Sequence, residues 1–159
     1  MQALDEQYLG VDMQLGGLDQ RHILAFIRES LPQIGYRRNV ELMMPLVPSL
    51  KGPGVKMSSS IPGTNIKVNA SEKEIRNTIS GAYCPIGITQ DNPITAIVKL
   101  LILSNEGKFV IPRDNKFGGD LELTSAEQFE KLYTNKEIHP VDLKAAVSDY
   151  LVKKLSRVL

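Results

Sequence analysis

Tyr8-Leu9-Gly10-Val11-Asp12-Met13-Gln14-Leu15-Gly16-Gly17-Leu18-Asp19-Gln20 is the stretch that decides the fold. Its apolar residues alternate or run together from Tyr8 to Leu15, Asp12 excepted, and stop at two glycines, as a short strand does. Ile23, Leu24, Phe26, Ile27 and Leu31 then recur at helical spacing, with Arg21, Arg28 and Glu29 opposite them. This is an amphipathic helix, ended by Pro32 and Gly35. Val40 to Met44 is a second apolar run, expected to be a buried strand. Strand, glycine turn, helix and strand make a βαβ unit, and a parallel pair of this kind implies an open α/β sheet. Ligands of such sheets bind beyond the carboxyl ends of the strands, where Gly16-Gly17 falls. Two strands do not complete a sheet, so this portion reads as the second half of one.

Upstream, Met1-Gln2-Ala3-Leu4-Asp5 holds good helix formers with no cap before them and reads as the last turns of a helix. Downstream, a loop carries Pro45, Pro48, Gly52, Pro53 and Gly54 and then Lys56-Met57-Ser58-Ser59-Ser60. Beyond it the pattern is helical. Ser71 and Glu74 form a capping box opening a helix to about Ala82. Asn92-Pro93 opens a nearly all-apolar, hence well-buried, helix through Ile94, Ile97, Val98, Leu101 and Ile102. Lys108–Pro112 and Asp120–Leu123 are suited to a hairpin, and Ser125 with Gln128 forms another capping box. His139-Pro140 starts a long helix with Leu143, Val147, Leu151, Val152 and Leu155 inside and Lys144, Lys153, Lys154 and Arg157 outside. The expected domains are 1–69, an α/β half-domain with the Lys56 loop, and 70–159, mostly helical with a small hairpin.

The 159 residues carry a net charge of +1, so any nucleic-acid contact must be local rather than a property of the whole chain. One cysteine, Cys84, excludes an internal disulfide and suits a reducing compartment. The apolar stretch Ile97–Leu103 is broken by Lys99, no signal peptide is visible, and a cytoplasmic location is expected. His22 and His139 are the two histidines, and neither has a partner at metal-ligand spacing. No structural metal is expected, and no nucleophile elbow supports Ser–His–Asp hydrolysis.

Several residues combine into candidate chemistry, each beside a plainer reading. Lys56 followed by Ser58, Ser59 and Ser60 on a glycine-rich loop is suited to holding phosphates, because a lysine point charge, hydroxyls and loop N–H groups are all donors. The plainer reading is a solvated linker. Gln2 and Asp5 share a helix face and together can grip a phenol, or simply form a solvated helix end. Gly17 allows close approach of a ligand to the backbone. Asp19 then suits a ribose hydroxyl and Gln20 an ammonium group, at a helix start that favours anions. Asp19 as the helix cap is the alternative. Phe117 beside Gly118-Gly119 is suited to stacking an unpaired base. His139 and Asp142 sit three apart at a helix start, where a carboxylate can accept from the Watson–Crick edge of guanine. A hairpin-core Phe117 and a first-turn capping Asp142 are the plainer readings.

Taken in order, Met1–Asp5, Tyr8–Asp12, Gly16–Arg21, Lys56–Ser60, Ala82-Tyr83-Cys84-Pro85, Lys116–Leu121 and His139–Lys144 closely resemble tyrosyl-tRNA synthetase of the archaeal and eukaryotic type, over essentially the whole chain. The resemblance implies a class I aminoacyl-tRNA ligase that activates tyrosine with ATP, Mg2+ being expected, and passes it to tRNA-Tyr. It places Gln2, Asp5 and Gln20 at the tyrosine, Gly17 and Asp19 beside the adenylate ribose, and Lys56, Ser58, Ser59 and Ser60 at the phosphates in the transition state. Phe117, His139 and Asp142 fall on the pocket for the first anticodon base. It also implies a Rossmann-like catalytic domain followed by a helical anticodon-binding domain.

Two departures matter. Ser59 stands where the general class I signature has a second lysine, which leaves Lys56 as its one cation. The family's His-x-Gly-His motif is absent, as are the tyrosines framing the pocket and the segment that usually makes the dimer interface. The chain therefore reads as the C-terminal half, expected to be inactive without the N-terminal half, the full enzyme being a homodimer. The alternatives are a tRNA anticodon-binding module without catalysis, and tryptophanyl-tRNA synthetase. Asp5 argues against the second, since an indole has no hydroxyl for a carboxylate to accept from.

Overall fold

The computed structural model describes residues 2–156, with side chains from residue 3, so the side chain of Gln2 and the outward placement expected of Arg157 lie outside the described residues. The chain divides into two compact units, Met1–Leu46 and Val47–Leu159.

The first unit contains α1 (Gln2–Leu9), β1 (Met13–Gly17), α2 (Arg21–Ser30) and β2 (Val40–Met44). The strands are parallel, with Met13 opposite Val40 and Gly17 opposite Met44, so the βαβ unit is present. Leu24, Ile27 and Leu31, spaced three and four apart, are buried, and Ala3, Leu4, Ile23 and Tyr36 pack on them. Phe26 is instead exposed, being two residues and therefore about half a turn from Leu24.

Two expectations are corrected here. Tyr8 and Leu9 belong to the helix rather than to the strand, because the helix ends only after Leu9, where left-handed Gly10 donates to the Gln7 carbonyl and the Val11 N–H to the Glu6 carbonyl. The helix buries Glu6 and leaves Tyr8 and Leu9 in solvent. The strands are also not buried: Leu15 is 63% exposed and Leu42 47%. Among the described residues β1 and β2 pair with each other alone, and the side carrying Met13, Leu15, Val40 and Leu42 is uncovered.

The second unit holds α3 (Glu72–Ser80) and a helical run made of α4 (Pro93–Ile97), a π-helical turn (Val98–Leu103) and α5 (Ser104–Glu106). It continues with β3 (Phe109–Ile111), β4 (Leu121–Leu123), α6 (Ala126–Thr134) and α7 (Pro140–Leu155). Ile75 and Ile79 of α3 meet Ile94, Val98, Ile102, Phe129, Tyr133, Leu143 and Val147 in one core. Arg76 joins α3 to α7 through Asp149 at 2.6 Å while also bonding Glu72 at 2.8 Å. The expected hairpin forms, with Phe109 opposite Leu123. The π turn rotates the run out of simple helical register, and Leu101, expected inside, is 41% exposed.

The caps follow the sequence closely. Ser71 and Glu74 make both bonds of the capping box. At α6 the Gln128 N–H bonds Ser125 Oγ at 3.1 Å, but the Gln128 side chain accepts from the N–H of Thr124 rather than of Ser125. The Val141 N–H donates to His139 Nδ1 at 3.2 Å, capping α7 ahead of Pro140.

The units part upstream of the division expected near residue 70. Leu50 accounts for this, since it is buried in the core of the second unit. Its N–H donates to the Thr64 carbonyl at 3.0 Å, and its carbonyl accepts from the Tyr83 N–H at 2.8 Å.

Candidate functional site

In the first unit, Gly17 closes β1 and Leu18–Gln20 form a 3-10 turn leading into α2. Gly17 has φ −76° and ψ 159°, which any residue can adopt. A Cβ there would collide with Asp19 Oδ1 and lie 3.0 Å from Leu46 Cδ2, so these two exposed side chains would have to shift to admit one. The Asp19 carboxylate therefore leans back over the strand end. Gln20 Nε2 donates to its other oxygen at 3.2 Å. Neither Asp19 nor Gln20 makes a side-chain cap bond to α2, so the reading of Asp19 as the helix cap is not met. Asp5 is exposed on α1, and Gln2 lies on the same helix, three residues before it.

The next residue of α1, Glu6, is 2% exposed and accepts from Asn39 Nδ2 at 3.2 Å. Glu41 on β2 is held 3.5 Å from Arg28. Each of the two carboxylates keeps one buried oxygen, Oε1, without a hydrogen-bond partner among the described residues. Burial pushes the Glu6 carboxyl above the usual carboxylate range, the Asn39 bond opposes this, and the nearby Glu41 charge adds to it. Neither glutamate was a sequence candidate, because a Glu on a helix or strand is ordinarily a surface residue.

In the second unit, Gly52 opens the Lys56 loop in the left-handed region at φ 88°, with Tyr83 Cγ 2.6 Å from where a Cβ would lie. Lys56, Ser59 and Ser60 are exposed and Ser58 is half-buried. The Ile61 N–H donates to the Ser58 carbonyl at 3.1 Å, and the Ser60 N–H to Ser58 Oγ at 3.3 Å. Thr64, fully buried, reaches back with its hydroxyl: it accepts from the Ser58 N–H at 3.2 Å and lies 2.7 Å from the Ser58 carbonyl. Nothing in the sequence marks Thr64, since a threonine in a Gly/Asn-rich stretch is ordinarily a solvated turn residue. A cleft of about 380 Å³ runs beside this loop, with Ser59, Pro62 and Asn65 on one side and Glu74 and Thr78 on the other. A cleft of about 430 Å³ between the β3 region and α7 contains none of the sequence candidates.

Also in the second unit, Phe117 is 64% exposed in a 3-10 turn between β3 and β4, with Lys116 Nζ 5.0 Å from its ring centre. It is not a hairpin-core residue. His139 caps α7 through Nδ1, which leaves Nε2 to carry the proton of the neutral ring, and Asp142 follows in the first turn. Arg113, which sequence reasoning missed, connects these pieces. Its Nε donates to the Gly119 carbonyl at 3.0 Å and its Nη1 to the Glu137 carbonyl at 3.2 Å. Behind them Tyr133 Oη donates to the Pro85 carbonyl at 2.9 Å and lies 3.2 Å from Cys84 Sγ. Burial raises the Cys84 thiol above its ordinary range, and the bonds to Tyr133 and Asn92 oppose this. Among the described residues no cluster of three His, Cys, Asp or Glu side chains is placed to hold a metal ion, and no helix is long and apolar enough to cross a membrane.

The family model described as tRNA synthetases class I (W and Y) matches residues 1–156. The chain belongs to this class I tRNA synthetase family. Among its relatives is the tyrosine–tRNA ligase of Archaeoglobus fulgidus, 46% identical over 151 residues that cover 95% of this chain and 46% of that protein. The cytoplasmic tyrosine–tRNA ligase of Xenopus tropicalis is 40% identical over 158 residues, 99% of this chain and 30% of that one. Among solved structures, the Archaeoglobus fulgidus tyrosyl-tRNA synthetase complexed with L-tyrosine superposes with a TM-score of 0.87 at 45% identity, over 98% of this chain and 48% of that one. The chain thus has the α/β fold of this family and spans about half the length of the archaeal relatives it matches.

Proposed function

We propose that this chain is part of a tyrosine–tRNA ligase. The observation that carries the reading is the 46% identity to a tyrosine–tRNA ligase across 95% of the chain. In the reaction, the tyrosine carboxylate attacks the α-phosphorus of ATP, taken as its Mg2+ complex, and pyrophosphate leaves. A terminal ribose hydroxyl of tRNA-Tyr then attacks the carbonyl carbon of the adenylate, and AMP leaves.

The residues fit definite parts in this scheme. Asp5 accepts the proton of the phenol hydroxyl, the Gln2 amide donates to the phenol oxygen, and Gln20 meets the α-amino group. Gly17, where a Cβ would displace the Asp19 carboxylate, lets the adenylate ribose approach, and Asp19 accepts from its hydroxyl. Lys56 and the hydroxyls of Ser58, Ser59 and Ser60 donate to the phosphates as charge moves onto the departing pyrophosphate. With serine at position 59, Lys56 is the signature's one cation. Phe117, His139 and Asp142 take the first anticodon base: the exposed ring stacks on it, and the carboxylate accepts from a guanine edge. On this reading the helical second unit is the anticodon-binding region.

The order of motifs, with the Lys56 signature loop present and no His-x-Gly-His, supports placing the chain as the C-terminal half. The apolar side of β1 and β2 fits cover by further elements from the N-terminal half, and the outer edges of the two strands, unpaired among the described residues, fit further strands. A homodimer of the full enzyme and a cytoplasmic location accord with this reading. Tryptophan as substrate is disfavoured by Asp5, which an indole cannot use.

The test is to combine this chain with the N-terminal half and follow tyrosine-dependent ATP–pyrophosphate exchange. Exchange should appear in the mixture, be absent from this chain alone, and fall by roughly a hundredfold or more in Lys56→Ala, as for loss of a transition-state donor. A folded assembly without exchange would count against the reading. Binding of the anticodon stem–loop by such an inactive assembly would favour the module without catalysis.

A further inference from the structure

Thr64 is a buried hydroxyl that serves the backbone of its neighbours rather than its own. It accepts from the Ser58 N–H, and its single proton goes to the Ser58 carbonyl at 2.7 Å or the Ile61 carbonyl at 2.8 Å. The Ser58 N–H is thereby met by this side chain, and so is the Ser58 carbonyl when the proton turns to it. Thr64 itself is fixed from the other direction. Its carbonyl accepts from the N–H of Leu50, a core residue whose own carbonyl is bonded to the Tyr83 N–H. The core thus holds Thr64, and Thr64 holds the serine end of the loop. Lys56, two residues ahead of that anchor, is exposed.

We propose that Thr64 is the positioning residue of the Lys56–Ser60 loop, its hydroxyl clamping Ser58 so that the loop's donors are held in one arrangement while Lys56 moves about a fixed point. The proposal rests on reading this loop as the phosphate-binding element. A hydroxyl is required and its methyl group is not, so Thr64→Ser should preserve the clamp and the near-isosteric Thr64→Val should remove it.

Two measurements separate the clamp from the chemistry. The first is amide hydrogen exchange on the 159-residue chain. In Thr64→Val the Ser58 amide should exchange roughly tenfold faster or more, as for loss of a hydrogen bond, while α7 keeps its protection and Thr64→Ser stays near the parent. Unchanged Ser58 exchange would overturn the proposal. Should the valine disturb α7 as well, Thr64→Ala removes the hydroxyl without placing a methyl group among its former partners and is read in the same way. The second is ATP–pyrophosphate exchange in the assembly with the N-terminal half. Thr64→Val should lower kcat by roughly tenfold with KM for tyrosine unchanged, and Thr64→Ser should restore it. Equal kcat in the parent and Thr64→Val would refute positioning. Absence of exchange in the parent assembly would instead refute the ligase reading, with the clamp still decided by the amide measurement.

Discussion

The Arg113 guanidinium donates to the Glu137 carbonyl at 3.2 Å, and through its Nε to the Gly119 carbonyl at 3.0 Å. One side chain therefore fastens the hairpin loop that carries Phe117 to the residues leading into α7, where His139 and Asp142 stand. A planar fork suits this double task, whereas a lysine offers one point of attachment.

If the proposed anticodon pocket depends on that fastening, Arg113→Ala should weaken binding of the tRNA-Tyr anticodon stem–loop by about 1–2 kcal/mol, and Arg113→Lys should recover little of it. Titration of a labelled stem–loop, with helix content checked in parallel, measures the effect. Unchanged affinity in a folded variant would separate Arg113 from the pocket.

Asp142 provides the base-specific part of the same proposal. Asp142→Ala should cost roughly 1–3 kcal/mol against a guanine-first anticodon, the scale of a lost charged hydrogen bond, and much less against the other three bases. Stem–loops differing only at that base provide the comparison. An equal loss across all four bases would assign Asp142 to the helix start alone.

Gly17 and Asp19 compete for the same space, so their substitutions should not be additive. Gly17→Ala is expected to destabilise the first unit by about 0.5–1.5 kcal/mol, the cost of pushing the exposed Asp19 and Leu46 side chains off their rotamers. In an Asp19→Ala background the same change should cost appreciably less, since the colliding oxygen is gone, although Leu46 stays close. Denaturant titration of the four chains closes the cycle, and simple additivity would remove the collision as the cause.

Glu6 predicts a pH dependence whose sign can be worked out. Its carboxyl is raised in the folded chain, first by burial. Its stabilising contribution is thus fully present below the unfolded-state pKa and is lost as pH rises through the folded-state value. Glu6→Gln should remove that slope and make the first unit more stable at neutral pH, with the advantage vanishing in acid, where the parent Glu6 is protonated. Thermal unfolding from acid to neutral pH tests this. An identical slope in parent and variant would show that Glu6 does not set it.

Legibility in the sequence was uneven for physical reasons. The βαβ unit, the hairpin and the capping positions Ser71, Asn92, Ser125 and His139 were readable because period, turn residues and caps act over a few neighbours. Phe26 and Leu101 were misplaced because their faces depend on a half-turn offset and on a π turn that the apolar pattern does not display. The exposed strands were misread because an apolar run reports what a strand is suited to bury, not what lies against it. Glu6, Thr64 and Arg113 escaped notice, since the partners of Glu6 and Arg113 are 33 and 24 residues away and the partners of Thr64 are backbone groups.

The sequence by itself determined the elements and the order of the motifs, from Gln2 to Asp142, because helix periodicity, caps and short motifs are local. The tertiary structure decided the rest. It put the Lys56 loop with the second unit through Leu50 and fixed Ser58 to Thr64. It joined the Phe117 loop to the start of α7 through Arg113 and turned the apolar side of β1 and β2 to solvent. Each of these depends on side chains or strands meeting across the chain, and such meetings are set by packing rather than by neighbouring residues.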